Sequence, residues 1–462
     1  AQVTVAPQFC NKLAMEQDTY LTGKKIQNLR ARSDSCDSEA TAKTRPATEE
    51  EASTEEERSE DEQRAVRVCV EQLPGWTDFK LQDCSVARLS GGQTNIIWLV
   101  QPPADAKLGD GVETAAVVRQ FGQGTDAIID REQEGLVYKA FAEVGVGPRV
   151  LGNFDGGRIE EYFQATRISC KELKIPQKMT QLAGMLGRIH ALDGAALEGR
   201  AVAAQKWARD LRSWADKAAQ TKFLNDAIKQ DCLDNLQVEA IKEEMEVLIS
   251  ALSGIDSPIV LCHNDLHEGN ILVSDDGSGK LHLIDFEYSG WGPRGYDFGN
   301  HFCEMSVDNF SDNELGFKYS PVDYPKKELQ YEFFKTYLLA QRPALSEEDL
   351  GREMDKLFLE ANMYALLSHF KWALWGIACA ATSDLDDYNF LAFARVRLSA
   401  YYERKAACNR LGLWQSNTSV LEDRLKVVDL ERFNWKLSTF GFCIVALTMA
   451  AHGYWRRNFL RP

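Results

Sequence analysis

The stretch His263-Asn-Asp265-Leu-His-Glu-Gly-Asn270, followed by the apolar run Leu281-His-Leu-Ile-Asp285, constrains this chain more than any other feature. It places two carboxylates and an amide at fixed offsets, with the second aspartate closing a short strand. Phosphoryl transfer needs such a set. One carboxylate orients and deprotonates the attacking hydroxyl; another, with an amide oxygen, holds the magnesium that bridges the phosphates of ATP. Asp265 suits the first role, Asn270 and Asp285 the second, and Glu287 is a supporting metal group. A polar turn between two buried strands would account for His263 and Asp265 but not for the whole set. Zinc held by His263 and His267 would lack a third ligand.

The surrounding pattern predicts where that motif sits. Ala87 to Val100 reads as strand, glycine turn, strand. The turn residues Ser90, Gly91, Gly92, Thr94 and Asn95 let backbone N–H groups approach phosphate oxygens. Ala115 to Phe121 is a further strand carrying Arg119, a permanent cation for the phosphates. Asp130 to Glu143 has helical spacing and carries Glu134, the expected ion-pair partner of Arg119. After about Gln164 helical patterns dominate: Met179–Leu192, Gln205–Ala218, Gln237–Leu252, Lys327–Leu339, Glu348–Ala381 and Leu391–Ala407. Between them lies an island of strand and loop, Ile259 to Ile284. The expectation is an α+β, two-lobed fold resembling the protein kinases. It has a small β-rich N-lobe over 65–163 and a large helical C-lobe over 164–410, with the chemistry at their junction.

His263 to Asn270, Leu283-Ile-Asp-Phe-Glu-Tyr288 and Arg294-Gly-Tyr-Asp-Phe-Gly-Asn-His-Phe-Cys-Glu304 together resemble the choline and ethanolamine kinase family, from about Val66 to Ala407. The resemblance implies ATP-dependent phosphorylation of the choline or ethanolamine hydroxyl with Mg2+, the first step of a CDP-linked route to phospholipids. It makes Glu160 to Phe163 the hinge, where backbone groups of Glu161 and Phe163 meet adenine. It also assigns Glu304, Trp372 and Trp375 to the ammonium pocket, with Tyr388, Phe390 and Phe393 nearby. A quaternary ammonium has no N–H to donate, so ring faces and nearby carboxylates suit it. Without the resemblance these aromatics would read as a core stripe. Two departures stand out: Phe393 replaces a usual Tyr, and Asn309 lies near a position often aromatic in choline kinases. Phe302-Cys-Glu-Met305 looks more like the choline version of the signature. The alternatives are another small-molecule phosphotransferase of the aminoglycoside type, or a membrane-tethered kinase-like scaffold.

Composition bounds the rest. A net charge of −16 argues against a nucleic-acid partner. Much of that charge lies in Glu49 to Glu62, and residues 1–64 read as an acidic disordered segment. Eleven scattered cysteines without a Cys-x-x-Cys pair read as thiols in a reducing compartment, hence a cytoplasmic enzyme. Residues 437–455 carry no formal charge and are bracketed by Trp435 and Trp455, which suits a C-terminal membrane anchor on the cytosolic face of an intracellular membrane. Residues 411–436 would link it to the C-lobe. The expected partners are small molecules, that membrane, and a second copy in a homodimer as an open alternative.

Overall fold

The structure is a computed structural model, and it describes residues 58–89, 95–122, 131–194, 197–382 and 388–414. The expected turn at Ser90, Gly91, Gly92 and Thr94, most of the acidic segment, most of the linker and the candidate anchor lie outside the described residues. Among the described residues no helix is long and apolar enough to cross a membrane.

The N-lobe is built on five antiparallel strands: β1 (Ser85–Leu89), β2 (Asn95–Gln101), β3 (Ala116–Phe121), β4 (Val150–Phe154) and β5 (Gly157–Glu161), in the order β1-β2-β3-β5-β4. Helix α1 (Glu60–Gln72) covers one face, burying Val66 and Cys69 against Trp98, Val100, Val118 and Ile159. This helix corrects the expected boundary, because residues 58–64 are ordered. Ser59 and Glu62 form a reciprocal capping box, and Glu60, Asp61 and Glu62 occupy the first turn. Acidic side chains there meet the positive end of the helix dipole, so a composition typical of a tail starts a helix instead. Helix α2 (Arg131–Glu143) packs toward the C-lobe through Val137, Tyr138 and Phe141.

The C-lobe begins with β6 (Ala165–Arg167) and continues through α3 (Pro176–His190), α4 (Arg200–Gln220), α5 (Ala227–Asp234) and α6 (Val238–Ser253). Then come the strands of the island: β7 (Ile259–Cys262), β8 (Ile271–Ser274), β9 (Leu281–Leu283) and β10 (Gly290–Pro293). They form two small sheets, β6-β8-β9 and β10-β7. Helix α7 (Arg294–Glu304), the short pair β11 (Val307–Asp308) and β12 (Lys318–Tyr319), and helices α8 (Lys327–Gln341), α9 (Glu347–Ala380) and α10 (Phe390–Arg410) complete it. The expected helices all form, with shifted ends.

Helices α7 and α9 approach closely. A Cβ on Gly299 would lie 2.4 Å from the backbone nitrogen of Ala365, so glycine is what lets the two backbones meet. That contact seats Glu304, Trp372 and Trp375 on one wall. The described cysteines are free thiols, and six of the eight are buried.

Candidate active site

The loop joining β7 to β8 carries Asp265, and its shape is set by three polar anchors. Asn264, just before it, takes a left-handed backbone at φ 66°. Asp297 of α7 accepts the backbone N–H of His263 at 2.8 Å and of Asn264 at 2.6 Å. His190 of α3 closes the far side, with Nε2 3.0 Å from Asp297 Oδ2. Asn264 Nδ2 donates to the carbonyl of Tyr288 at 3.0 Å, which ties the loop to the segment after β9. Of the described residues, His190, Cys262 and Asp297 lie close enough together to hold a metal ion. The bonds of Asp297 to the loop give that cluster a structural role already.

Asp265 is buried. Burial raises its carboxyl above the ordinary value, while His267, His263 and Lys371 act to lower it. Gly269 N donates to His267 Nδ1 at 3.1 Å, which leaves the Nε2 side, 3.7 Å from Asp265 Oδ2, as the protonated one. Burial acts against a charge on His267, but the carboxylates of Asp265, Glu268 and Glu304 outweigh it and its pKa is raised.

Asn270 donates through Nδ2 to Asp265, at 2.9 Å to the carbonyl and 3.1 Å to Oδ2. Its other end, the amide oxygen, is therefore directed away from Asp265. Asp285 follows β9 with a left-handed φ of 63°, a conformation costly for a residue with a Cβ and common at functional sites. A carboxylate and an amide oxygen are hard oxygen ligands, the set that magnesium takes alongside substrate phosphates. The residues present fit that ion. Glu287 lines a larger cleft with Asn264 and Tyr288 rather than the pocket at Asp265.

Arg119 differs from its expected pairing. Its Nε meets Glu160 Oε1 at 2.8 Å, not Glu134. Glu134 pairs with Arg158 at 3.0 Å and Arg131 at 2.7 Å, and Arg158 also meets Glu160 at 2.6 Å. The result is a buried chain of three guanidinium groups and two carboxylates. Burial alone would raise the carboxyl of Glu160, but Arg119 and Arg158 hold it below its ordinary value. Asn95 joins this chain by accepting from Arg131 at 3.1 Å.

Next to Arg119, a narrow pocket is lined by Val117, Pro148, Glu161, Phe163, Leu272 and Ile284, at the expected hinge. The N–H of Glu161 is taken by the carbonyl of Arg149 at 2.9 Å, so that group is not offered to a ligand. Phe163 stacks on His282 with ring centroids 3.8 Å apart.

A second pocket is lined by Asp265, His267, Glu304, Asn309, Trp372, Trp375, Tyr388 and Phe393. Trp372 and Trp375 meet edge to face, with centroids 5.6 Å apart. Phe390 stands behind them against Trp375 and Tyr388 and is not part of the lining. Two groups here were missed from the sequence. Arg397, wholly buried on α10, pairs with Glu304 at 2.6 Å. Asn300 accepts from both Trp372 Nε1 and Ser368 at 2.8 Å, which fixes the indole. An arginine amid the apolar residues of a helix was the signal for the first.

Two lobes, a buried arginine–glutamate chain in the small one and an aromatic pocket walled by a buried aspartate in the large one give the layout of a small-molecule kinase of the protein-kinase-like fold. Residues 86–402 match the choline/ethanolamine kinase family. The choline/ethanolamine kinase of Rattus norvegicus is 31% identical over 350 residues, covering 74% of this chain and 86% of that protein. The choline/ethanolamine kinase of Homo sapiens is 30% identical over 352 residues, with the same coverages. Among solved structures, choline kinase from Cryptosporidium parvum superposes with a TM-score of 0.63 at 23% identity, covering 75% of this chain and 96% of that one. An ethanolamine kinase from Plasmodium vivax gives 0.56 at 23% identity, with coverages of 73% and 86%. The chain belongs to the choline/ethanolamine kinase family, and with that it is an ATP-using kinase of small molecules.

Proposed function

We propose that the chain transfers the γ-phosphoryl group of ATP to the hydroxyl of an amino alcohol, choline or ethanolamine. The observation that carries this reading is the aromatic pocket of Trp372, Trp375, Tyr388 and Phe393, which shares Asp265 as a wall. Rings of this kind hold an ammonium by their π-faces, and the two-carbon arm of an amino alcohol then places its hydroxyl toward the aspartate. Asp265 takes the hydroxyl proton, the freed oxygen forms the new bond to the γ-phosphorus, and the bond to the β-phosphate oxygen breaks to leave ADP. Arg119 faces the phosphates from β3, and Asn270 and Asp285, with Glu287 in support, would hold magnesium. When bound, that ion neutralises charge on the phosphate oxygens.

The product, a phosphorylated amino alcohol, suits a following nucleotidyl transfer on the way to phospholipid. Attachment through residues 437–455 to the cytosolic face of a membrane extends the same reading. The test is an ADP-release assay with ATP, magnesium and each amino alcohol in turn. Turnover that depends on the amino alcohol supports the reading, and a folded, ATP-binding protein inert toward both overturns it.

A further inference from the structure

The acceptor pocket has two kinds of wall. Trp372, Trp375 and Phe393 present aromatic rings, which attract an ammonium whatever its substituents. Asn309, in the turn after β11, presents an amide. Its Nδ2 donates to Glu304 Oε2 at 3.3 Å and to Glu268 Oε1 and Oε2 at 3.4 and 3.5 Å. Its backbone N–H donates to Glu268 Oε1 at 2.8 Å. With the NH2 end committed to two carboxylates, the oxygen end points the other way. There, among the described residues, it accepts one long bond, from the Tyr388 hydroxyl at 3.4 Å. That oxygen retains capacity for a stronger donor. The carboxylate of Glu304 is already matched by Arg397 at 2.6 Å, so it is a weaker competitor for that donor.

We infer that Asn309 determines substrate specificity: its Oδ1 accepts an N–H from the substrate ammonium, so the pocket favours amino alcohols bearing at least one N–H over quaternary ones. The inference rests on reading this pocket as an ammonium site. A protonated primary, secondary or tertiary amine can form a charge-assisted bond to the amide oxygen. A trimethylated nitrogen cannot, and its methyl groups would cover that oxygen and leave it without a partner. The preference runs against the choline-like look of Phe302-Cys-Glu-Met305, and the burial pattern gives the reason. Phe302, Cys303 and Met305 are wholly buried in the core, and of those four residues only Glu304 lines the pocket.

The test compares ethanolamine, N-methylethanolamine, N,N-dimethylethanolamine and choline as substrates of the full chain with ATP and magnesium. All four are cationic at neutral pH, and only choline has no N–H. We expect kcat/KM about tenfold higher for N,N-dimethylethanolamine than for choline, a pair differing by one methyl group. Asn309→Leu should bring the two within about twofold of each other. A choline value equal to or above that of the dimethyl compound in the unaltered protein overturns the inference, as does a gap that persists in Asn309→Leu. If the variant melts before assay, the comparison in the unaltered protein decides alone. Inactivity toward all four, with ATP still bound, instead sinks the amino-alcohol reading and this inference with it.

Discussion

Asp297 accepts the backbone N–H of Asn264 at 2.6 Å, and so holds the residue before Asp265 in its left-handed conformation. Burial would raise the Asp297 carboxyl, yet His190, His263 and the Asn264 N–H outweigh it and hold the carboxyl below its ordinary value. The ionised form is therefore part of the folded loop. Asp297→Asn retains size but replaces one acceptor oxygen with a donor that faces backbone N–H groups. We expect kcat to fall about a hundredfold, because misplacing a reacting group by about 1 Å costs that much. Stability should fall by about 2–4 kcal/mol in urea unfolding, from the buried groups left unmatched. An unchanged kcat would show that Asp265 is positioned by something else.

Asp265→Asn separates chemistry from structure. An asparagine oxygen can still accept from Asn270 Nδ2, which now lies 3.1 Å from Asp265 Oδ2, so the loop should keep its shape. Turnover should fall by about 10²–10⁴, the usual contribution of a positioned general base, with the melting temperature close to that of the parent. Activity within tenfold of the parent would remove Asp265 from the role of base.

The motif from His263 to Asp285 stood out in the sequence because phosphoryl-transfer chemistry fixes residue types at short offsets within one segment. The long helices were legible because burying one face imposes a 3.6-residue period. Helix α7 was not: its polar residues Arg294, Asp297, Asn300, His301 and Glu304 recur at helical spacing, but the segment is short, two glycines depress its helix propensity, and Gly295 through Glu304 are all buried, so that polar side faces the interior instead of solvent. The partner of Arg119 was hidden for a different reason. Glu160 is 41 residues away in sequence, but β5 lies beside β3, with Arg158 opposite Arg119 and Glu160 opposite Val117. Sheet order therefore brings Glu160 alongside on the same face, and strand order is not written in local sequence. The aromatic pocket was assigned from family resemblance, since spacing alone could not tell a ligand pocket from packing.

Glu160 is the shared carboxylate of Arg119 and Arg158, and for Arg119 it is the carboxylate at bonding distance. Glu160→Gln would leave the buried Arg119 with a neutral acceptor, and Arg158 with Glu134 as its remaining carboxylate. Breaking a buried pair in this way costs about 3–5 kcal/mol, which urea unfolding would register. The KM for ATP should rise more than that for the amino alcohol if Arg119 contacts the phosphates as proposed. Equal effects on both would place Arg119 outside the phosphate site.

His282 bears on acid stability. It stacks on Phe163 and its Nε2 lies 2.9 Å from Ser274 Oγ. Burial, with a smaller effect from Lys280, lowers its pKa to about 4, and burial lowers that of His301 to about 4 as well. Both rings are thus neutral in the fold but protonate near pH 6.5 once unfolded. Their contribution is complete above that value. As pH falls from 6.5 toward 4, the unfolded chain gains protons that the fold refuses, and stability declines by up to about 1.4 kcal/mol per pH unit for each ring. Urea midpoints should therefore drop between pH 7 and pH 4.5. His282→Phe keeps an aromatic ring against Phe163 and removes one such titration, so its midpoint should fall less steeply over that range. Parallel curves for variant and parent would mean that His282 protonates as readily in the fold as in the unfolded chain.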